Sequence, residues 1–259
     1  MVRKGAAGLL RPMRRLVSDG VCEDVLKFAC LRVGGMLIWQ RAGEDHRGLL
    51  DHLLSDPDRL LDAGERLPGR GRGCTTARVT VAGSDFLLKR FAYRNVWYGL
   101  RHIFKRSRAF KVFVNQNLAY AAGVSVPRPF LCLEERCWRF LRRGYVLDSY
   151  LHESRQLDQC WDELTESDQN EILRQSADNY CRLHQAGILH GDSNWRNLLV
   201  VRTEAGPKVW MIDFDNSRRL PVLSRRLRQR DINHFVRDMR WRCMPEEQVE
   251  SFVARLKIQ

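Results

Sequence analysis

Two short apolar runs joined by a turn stand out in the pattern of hydrophobic and polar positions in the second half of the chain. Residues 198–201 and 209–212 are rich in β-branched side chains, and Gly206-Pro207 between them is typical of a turn. We therefore predict a β-hairpin there. Polar residues flank it, with Asn197 before the first strand and Asp213 after the second.

Alternating patterns predict further strands in the first half of the chain. Apolar and polar residues alternate over residues 77–81, and residues 86–91 form the next candidate strand after a glycine-containing turn. Candidate strands also lie at 131–133 and 138–141, on either side of a charged turn. Strict alternation places Lys89 on the face of Leu87 and Phe91, and Arg90 on the opposite face.

Apolar residues at helical spacing predict four helices. The first covers residues 49–61 and is interrupted near Pro57, so it forms two short pieces. A second covers 107–122 and ends at Gly123. A third runs from Thr165 or Ser167 to His184, and a fourth covers 231–239.

The N-terminal segment is basic and carries leucines at helical spacing. No apolar region with a small-residue cleavage site follows, so we predict no signal peptide. Residues 25–39 are fairly apolar, but Lys27 and Arg32 interrupt them and they are too short to span a bilayer. Two interpretations of residues 5–17 stay open, a helix lying on a membrane surface or a frayed basic tail.

Composition narrows the classes of partner. The chain has 259 residues and a formal net charge of +13, which favours an anionic partner: nucleic acid, a phospholipid surface or a phosphorylated glycan. The sequence has no interleaved aromatic platform or known nucleic-acid motif, so no nucleic acid is expected. Its eight cysteines include no C-x-x-C pair, which argues against zinc and favours reduced cytosolic thiols.

Polar residues around the predicted hairpin suit phosphoryl transfer. His190-Gly191-Asp192 precedes Asn197 by five positions counted from the aspartate, and Asp213-Phe214-Asp215 follows the second strand. In such a set one carboxylate takes the proton of an attacking hydroxyl, while an amide and a second carboxylate hold magnesium on nucleotide phosphates.

These residues also carry a family resemblance. The pattern H-G-D-x-x-x-x-N followed by I-D-F-D resembles the kinase-like superfamily. The form V-W-x-I-D-F-D is similar to the lipopolysaccharide kinase family, the bacterial Kdo and heptose kinases. The segment G-V-S-V-P-R-P at 123–129 extends the resemblance, which covers about residues 67–240. It implies an α+β, two-lobed protein-kinase-like fold with a small β-rich N-lobe and a short helical C-lobe.

The resemblance also implies a domain organisation. Residues 1–66 would form a basic and helical N-terminal extension, and residues 67–259 the kinase-like domain. Within that domain the N-lobe would cover about 67–141 and the C-lobe about 144–259. The hinge would then fall near Arg142-Arg143-Gly144.

ATP and Mg²⁺ are the implied cofactors. The resemblance assigns Asp192 as the base and Asn197 and Asp213 as metal ligands, with His190 and Asp215 in supporting roles. It places Lys89 on the α- and β-phosphates. A glycine-rich turn can also approach phosphates with its backbone N–H groups. Here that turn contributes Gly69, Gly71 and Gly73.

Arginines follow the second acidic motif, where kinase-like proteins receive the phosphate acceptor. The candidates for binding an anionic glycolipid or phosphorylated sugar are Arg218, Arg219, Arg225 and Arg226. A solvated basic face is the alternative interpretation. The resemblance implies a cytoplasmic protein that works peripherally at the cytoplasmic face of the inner membrane.

One departure from the kinase pattern keeps other functions open. The helix predicted at 107–122 has no acidic residue, whereas a kinase helix at this place offers a glutamate to the strand lysine. Asn115, Gln116 and Asn117 are the substitutes available, and they bring no charge. The alternatives are a catalytically weak or inactive nucleotide-binding module, or a small-molecule or protein kinase of the same superfamily.

Overall fold

The computed structural model describes residues 26–67, 73–92, 106–137 and 140–257. By its contacts the chain divides into two units. The first comprises residues 1–114 and 128–150, and the second comprises residues 115–127 and 151–259. Two of the predicted phosphate-binding glycines, Gly69 and Gly71, lie outside the described residues, as does the N-terminal segment 5–17.

The first unit is built on a seven-stranded antiparallel sheet with the order β1-β2-β6-β7-β5-β4-β3. Its strands are β1 Phe28–Val33, β2 Met36–Arg41, β3 Glu65–Arg66, β4 Cys74–Val81, β5 Ser84–Ala92, β6 Pro129–Cys137 and β7 Phe140–Ser149. Its helices are α1 Arg47–Ser55, α2 Pro57–Ala63 and the first half of α3 Arg108–Ala121.

The β4–β5 hairpin follows directly from local sequence. Val81 pairs with Ser84, and the two residues between them, Ala82 and Gly83, both have positive φ. A two-residue turn with positive φ at both positions matches the right-handed twist of the two strands that it joins. The strands predicted at 77–81 and 86–91 are confirmed. Lys89 lies on the Phe91 face as predicted, with its Nζ 5.3 Å from the centre of that ring.

The two short helices pack on the other face of the sheet. Leu50, Leu53 and Leu61 join a buried cluster with strand residues such as Leu88 and Leu147. The break predicted near Pro57 is confirmed, because Pro57 is the first residue of α2 and Asp56 caps its backbone N–H groups.

Asp58 ties α2 to this face. Its carboxylate accepts hydrogen bonds from Tyr145 Oη at 2.9 Å and Arg90 Nη1 at 3.0 Å, and it also contacts Arg143. Burial alone would raise the pKa of Asp58, but the hydrogen bonds from Arg90 and Tyr145 hold it below the ordinary value.

Two features of the first unit differ from the sequence interpretation. Residues 28–41, placed in a helical extension, form strands β1 and β2 of the sheet. Arg142, Arg143 and Gly144, where the hinge was expected, lie inside β7, and the first unit continues to Tyr150. The buried run Tyr145–Leu147 pairs with β5 and β6, so the chain stays in the sheet beyond its basic residues. The domain boundary at residue 66 stays a prediction.

The second unit combines helices with short strands. Its strands are β8 Arg155–Gln156, β9 Ile188–Leu189, β10 Leu198–Thr203, β11 Gly206–Met211 and β12 Arg218–Arg219. Its helices, besides the end of α3, are α4 Leu157–Cys160, α5 Glu166–Gln185, α6 Arg225–Trp241 and α7 Glu246–Lys257. Single 3-10 turns cover Trp161–Glu163, Trp195–Asn197 and Phe214–Asn216.

Aromatic residues from three helices form the core of this unit. Tyr180 of α5 contacts Phe235 of α6, and Phe235 stacks on Phe252 of α7 at 4.6 Å between ring centres. The predicted hairpin is β10–β11, and α5 closes its open edge through Gln175. That side chain donates to Pro207 O and accepts from Val209 N, so the edge strand has partners for its backbone groups.

Helix α6 begins six residues earlier than the predicted helix at 231–239. Ser224 caps it by accepting a hydrogen bond from Leu227 N. Its first six residues include four arginines and one apolar residue, Leu227, so the hydrophobic pattern shows no helix there. No helix in the described part of the chain has the length and apolar character needed to cross a membrane.

Candidate active site

The β10–β11 hairpin brings the two metal-binding candidates together. Leu198 pairs with Met211, and one step further Ile212 N donates to Asn197 O at 2.9 Å. Asn197 therefore directly precedes β10, next to the point where the chain leaves β11 toward Asp213. Both lie in the second unit, and this part of the prediction is a direct consequence of hairpin register.

Asp213 has an unusual backbone conformation. Its φ of 64° and ψ of 65° lie in the left-handed region, which costs a residue with a side chain about 1–3 kcal/mol unless the surroundings impose it. Here Ile212 is fixed on both sides, because its N–H donates to Asn197 and its carbonyl accepts from His190 Nε2 at 3.0 Å. The exposed carboxylate of Asp213 is thereby aimed by the main chain.

His190 acts here as a buried structural donor. It is 1% exposed, and its ring packs against Phe214 at 5.1 Å between ring centres. Burial lowers the pKa of His190 below its ordinary value, so the imidazole is neutral near pH 7 and donates through Nε2. Its bond to Ile212 O links the loop containing Asp192 to the turn containing Asp213.

Gly191 lets the two loops approach closely. Its φ is 79°, and a Cβ at this position would lie 2.4 Å from Asn216 O. Gly187, with φ of 72°, makes a similar approach to Leu220, whose N–H donates to Gly187 O. Between these glycines β9 pairs with β12, Leu189 lying opposite Arg218.

Asp192 is half-buried and held by two amides. Asn194 Nδ2 donates to Asp192 Oδ1 at 2.7 Å, and Asn197 Nδ2 donates to the backbone carbonyl of Asp192 at 2.7 Å. No hydrogen bond to Asp192 Oδ2 is found within the described residues. One carboxylate oxygen is thus held in place, and the other can accept a proton from a hydroxyl.

Asp231, which the sequence placed only at the start of a helix, is the anchor of this loop. Its buried carboxylate accepts from His184 Nε2 at 2.9 Å, His190 N at 2.9 Å and Gly191 N at 2.7 Å. Burial alone would raise the pKa of Asp231, but these hydrogen bonds lower it below the ordinary value. One signal was available: Asp231 shares a helix face with the apolar Phe235 and Met239.

Trp195 is a core residue. It is 1% exposed, packs on Trp161 at 4.6 Å between ring centres, and donates its backbone N–H to Asp238. Its burial and these contacts make Trp195 part of the packed core of the second unit. Its neighbour Arg196 is exposed.

The predicted nucleotide-binding residues of the first unit lie at separate strand positions. Lys89 is half-buried in β5, and Gly73 precedes β4 with φ of 106°, its carbonyl accepting from Ala92 N. In the second unit, two of the three amides named as substitutes for a helix glutamate donate their side-chain nitrogens to other groups. Asn115 Nδ2 donates to Ser217 Oγ and Gln116 Nε2 donates to Pro127 O, each at 2.8 Å.

Basic residues follow the Asp213 turn in β12 and at the start of α6. Arg219 is half-buried, and Arg218, Arg225 and Arg226 are exposed. None of the four forms an ion pair with a carboxylate in the described part of the chain. The first turn of α6 also has no acidic residue. Since cations at a helix N-terminus are unfavourable, this cluster would be stabilised by a bound anion.

Oxygen donors at the hairpin fit Mg²⁺. Asn197 turns its Nδ2 toward the Asp192 carbonyl, which leaves Oδ1 for a cation, and Asp213 supplies an exposed carboxylate. Among the described residues no group of three or more His, Cys, Asp or Glu side chains could hold a metal. Two oxygen ligands suit Mg²⁺ when phosphates and waters supply the remaining ones. Asp215 lies half-buried in the adjacent 3-10 turn.

Comparison with solved structures defines the class of fold. The chain matches a structure described as WaaP in complex with acyl carrier protein, with a TM-score of 0.60 and 16% sequence identity. The match covers 79% of this chain and 83% of that one. The protein-kinase-like fold predicted from the sequence is confirmed.

Comparison with sequences gives the family. The model of the lipopolysaccharide kinase (Kdo/WaaP) family matches residues 63–255. The chain belongs to this family, and the predicted resemblance is confirmed.

Similar proteins are named as kinases of 3-deoxy-D-manno-octulosonic acid, the sugar abbreviated Kdo. The Pasteurella multocida protein is 26% identical over 164 residues, covering 56% of this chain and 63% of that protein. The Actinobacillus succinogenes protein is 29% identical over 154 residues, with the same coverage. The Vibrio cholerae protein is 31% identical over 111 residues, covering 43% and 45%. The chain thus spans less than two thirds of the length of these relatives.

Proposed function

We propose that this protein is an ATP- and Mg²⁺-dependent phosphotransferase that phosphorylates a sugar hydroxyl of the lipopolysaccharide core, on Kdo or heptose. The observation that carries the proposal is the arrangement of Asp192, Asn197 and Asp213 around one hairpin. Hydrogen bonds to the main chain of Asp192 and Ile212 hold these residues together. Membership of the lipopolysaccharide kinase family supports the same chemistry.

Each site residue has a role in this proposal. Asp192 Oδ2 accepts the proton of the attacking hydroxyl while Oδ1 is held by Asn194. Asn197 Oδ1 and the Asp213 carboxylate hold Mg²⁺, with Asp215 and His190 in support. Lys89 and Gly73 contact the phosphates of ATP. When bound, Mg²⁺ supplies positive charge that offsets the charge of the phosphates.

Kdo is the first acceptor to test, because the relatives with sequence similarity are named as Kdo kinases. Kdo and its phosphorylated neighbours are anionic, and guanidinium groups bind carboxylate and phosphate in bidentate fashion. The arginines around the start of α6, which have no carboxylate partner in the described chain, supply such groups: Arg218, Arg219, Arg225 and Arg226.

The exposed side of α6 suits an anionic membrane surface. Arg226, Arg230 and Arg237 follow one another along the helix, and Trp241 at its end is 80% exposed. Their spacing of four, seven and four residues puts them on one side. Basic residues with an exposed tryptophan are typical of a helix lying at the lipid interface. A cytoplasmic protein bound peripherally to the inner leaflet fits this surface.

One observation favours a second candidate, a catalytically weak nucleotide-binding module. Helix α3 has no acidic residue that could pair with a strand lysine. Such a protein would bind nucleotide and transfer no phosphate. A small-molecule or protein kinase of the same superfamily would differ only in its acceptor.

The test is Mg²⁺-dependent transfer of labelled γ-phosphate, with separate acceptors carrying unphosphorylated Kdo or unphosphorylated heptose. Asp192→Asn removes the base, so the rate should fall by about 10²–10⁴-fold. Glu250→Gln, at an exposed carboxylate on α7, is the matched control and should keep the wild-type rate. Equal rates in wild type and Asp192→Asn would remove Asp192 from this role. ATP binding without transfer to either sugar would support the second candidate.

A further inference from the structure

Strand register in the first unit shows which residues share a face with Lys89. Lys89 lies opposite Val146 of β7, and Val146 lies opposite Cys132 of β6. Directly opposed residues of antiparallel strands point to the same side of the sheet. This side is the one away from α1 and α2, because Leu88 and Leu147 belong to the cluster with those helices.

Asp148 occupies the diagonal position next to Lys89 on this face. It lies opposite Leu87, two residues before Lys89 on β5, and two residues after Val146 on β7. Diagonal neighbours of this kind have Cα atoms about 7–8 Å apart, which a lysine side chain can span. This diagonal relation between Asp148 and Lys89 is well defined, because β5 and β7 pair residue by residue without a bulge.

Asp148 is also buried, with 5% of its surface exposed. A carboxylate at such a position is rarely found without a positive partner, since burial of an uncompensated charge is unfavourable. Lys89 is the cation on the neighbouring strand that is closest in register. The position of Asp148 therefore points to the lysine.

Three other charged groups described on or against this face, Glu134, Arg78 and Arg108, have contacts of their own. Glu134 lies two strands from β5, across Gly144 from Phe91, and accepts from Ser107 N and Arg136 Nε, each at 3.2 Å. Arg78 donates its Nε to Asp85 at 2.9 Å. From helix α3, which packs on this face through Phe110 against Trp39, the Arg108 guanidinium lies 5.5 Å from the Phe91 ring.

We propose that Asp148 is the positioning residue of Lys89, taking the part that an acidic residue of α3 would otherwise play. In this arrangement the Asp148 carboxylate holds the Lys89 side chain and keeps its ammonium group charged and aimed at the phosphates. The inference rests on the proposed function for the role of Lys89 toward ATP. The pairing itself rests on strand register and burial alone.

The first experiment measures the pKa of the Lys89 amine in the nucleotide-free protein, by NMR of lysine labelled with ¹³C at Cε. Asp148→Asn removes the opposite charge, so the pKa of Lys89 should fall by about one unit or more. Asp85→Asn is the matched control, since Asp85 is the second residue of the same strand and accepts a hydrogen bond from Arg78. A Lys89 pKa that is unchanged in Asp148→Asn overturns the pairing.

The second experiment is a double-mutant cycle on the affinity for a non-hydrolysable ATP analogue with Mg²⁺. Asp148→Asn should weaken binding about tenfold in the wild-type background and have no effect once Lys89→Met is present. Equal effects in both backgrounds would mean that Asp148 acts through the fold, and thermal unfolding of each variant identifies that case. If the wild type binds no nucleotide, the proposed function is wrong, and the amine titration still decides the pairing.

Discussion

At the scale of single residues, the candidate site depends on positions where the backbone adopts a left-handed conformation. Gly187, Gly191 and Asp213 all have positive φ, and they lie at the places where the loop of Asp192 meets the turn of Asp213. Two of them are glycines because a side chain would collide with the neighbouring backbone. Asp213 keeps its side chain, which the proposed function needs for metal binding.

Gly191→Ala should damage both stability and phosphotransfer. Its Cβ would lie 2.4 Å from Asn216 O, so the two loops must separate. Gly83→Ala is the matched control, because Gly83 has a nearly identical φ of 78° and open space around it. The control should cost only about 1–2 kcal/mol of backbone strain. Urea unfolding and the transfer assay measure both effects, and equal losses in the two variants would contradict the argument.

His190 should make stability depend on pH. Burial lowers its pKa below 6.5, so the unfolded chain takes up a proton at a pH where the folded chain does not. The stabilisation is complete above about pH 6.5. It declines by up to about 1.4 kcal/mol per pH unit as pH falls toward the folded-state pKa.

Urea unfolding at pH 5 to 8 measures this slope. In His190→Asn the decline below pH 6.5 should be smaller, whereas His234→Gln, at an exposed histidine of α6, should keep it. The same slope in His190→Asn and the wild type would show that another group is responsible.

At the scale of elements, helix α6 fixes the loop that carries Asp192. Asp231 accepts from two successive backbone N–H groups of that loop, and Asp238, two turns later, accepts from Trp195 N. Both carboxylates come from one helix whose apolar residues Phe235 and Met239 lie in the core. The packing of α6 into the core therefore also fixes the position of the loop.

Asp231→Asn should destabilise the second unit by roughly 2–4 kcal/mol, because hydrogen bonds to a charged group are lost and buried N–H groups lose acceptors. The transfer rate should fall as well, since Asp192 follows directly after the anchored residues. Asn233→Ala, at an exposed position on the same helix, should change stability by less than about 0.5 kcal/mol. Urea unfolding measures the stability of the two variants. An Asp231→Asn variant that is as stable and as active as the wild type would contradict the anchoring role.

At the scale of the whole molecule, the basic residues behind the net charge of +13 differ in whether they have acidic partners. Many arginines are neutralised locally, for example Arg174 by Glu171 and Asp178. Those around the start of α6 have no such partner in the described chain. A basic surface of this kind attracts anionic lipids and sugars and weakens with salt.

Binding to vesicles tests the α6 surface. Replacing Arg226 and Arg230 by Gln should weaken binding to phosphatidylglycerol-containing vesicles by about 30-fold, at roughly 1 kcal/mol per arginine. Trp241→Ala should weaken it further, and wild-type binding should fall as salt is raised. Arg174→Gln is the control, because that arginine is already paired. Binding that is unchanged in the double variant would place the membrane contact elsewhere or exclude it.

The sequence by itself determined the local part of this protein. Hairpin register brought Asn197 and Asp213 together, alternation put Lys89 on its face, and Pro57 divided the first helical segment, because each follows from neighbours along the chain. The motif residues also sufficed to predict the family and the kinase-like fold. Residue roles beyond that stay predictions.

Only the tertiary structure decided what depends on residues far apart in the chain. It showed that strands 28–41 join the sheet and that β7 continues through Arg142 and Gly144. It also showed that Asp231 holds a loop 40 residues away and that Asp148 lies diagonal to Lys89 on the same face of the sheet. Local pattern cannot supply these contacts, since strand order and the burial of a charge are set by packing between distant segments.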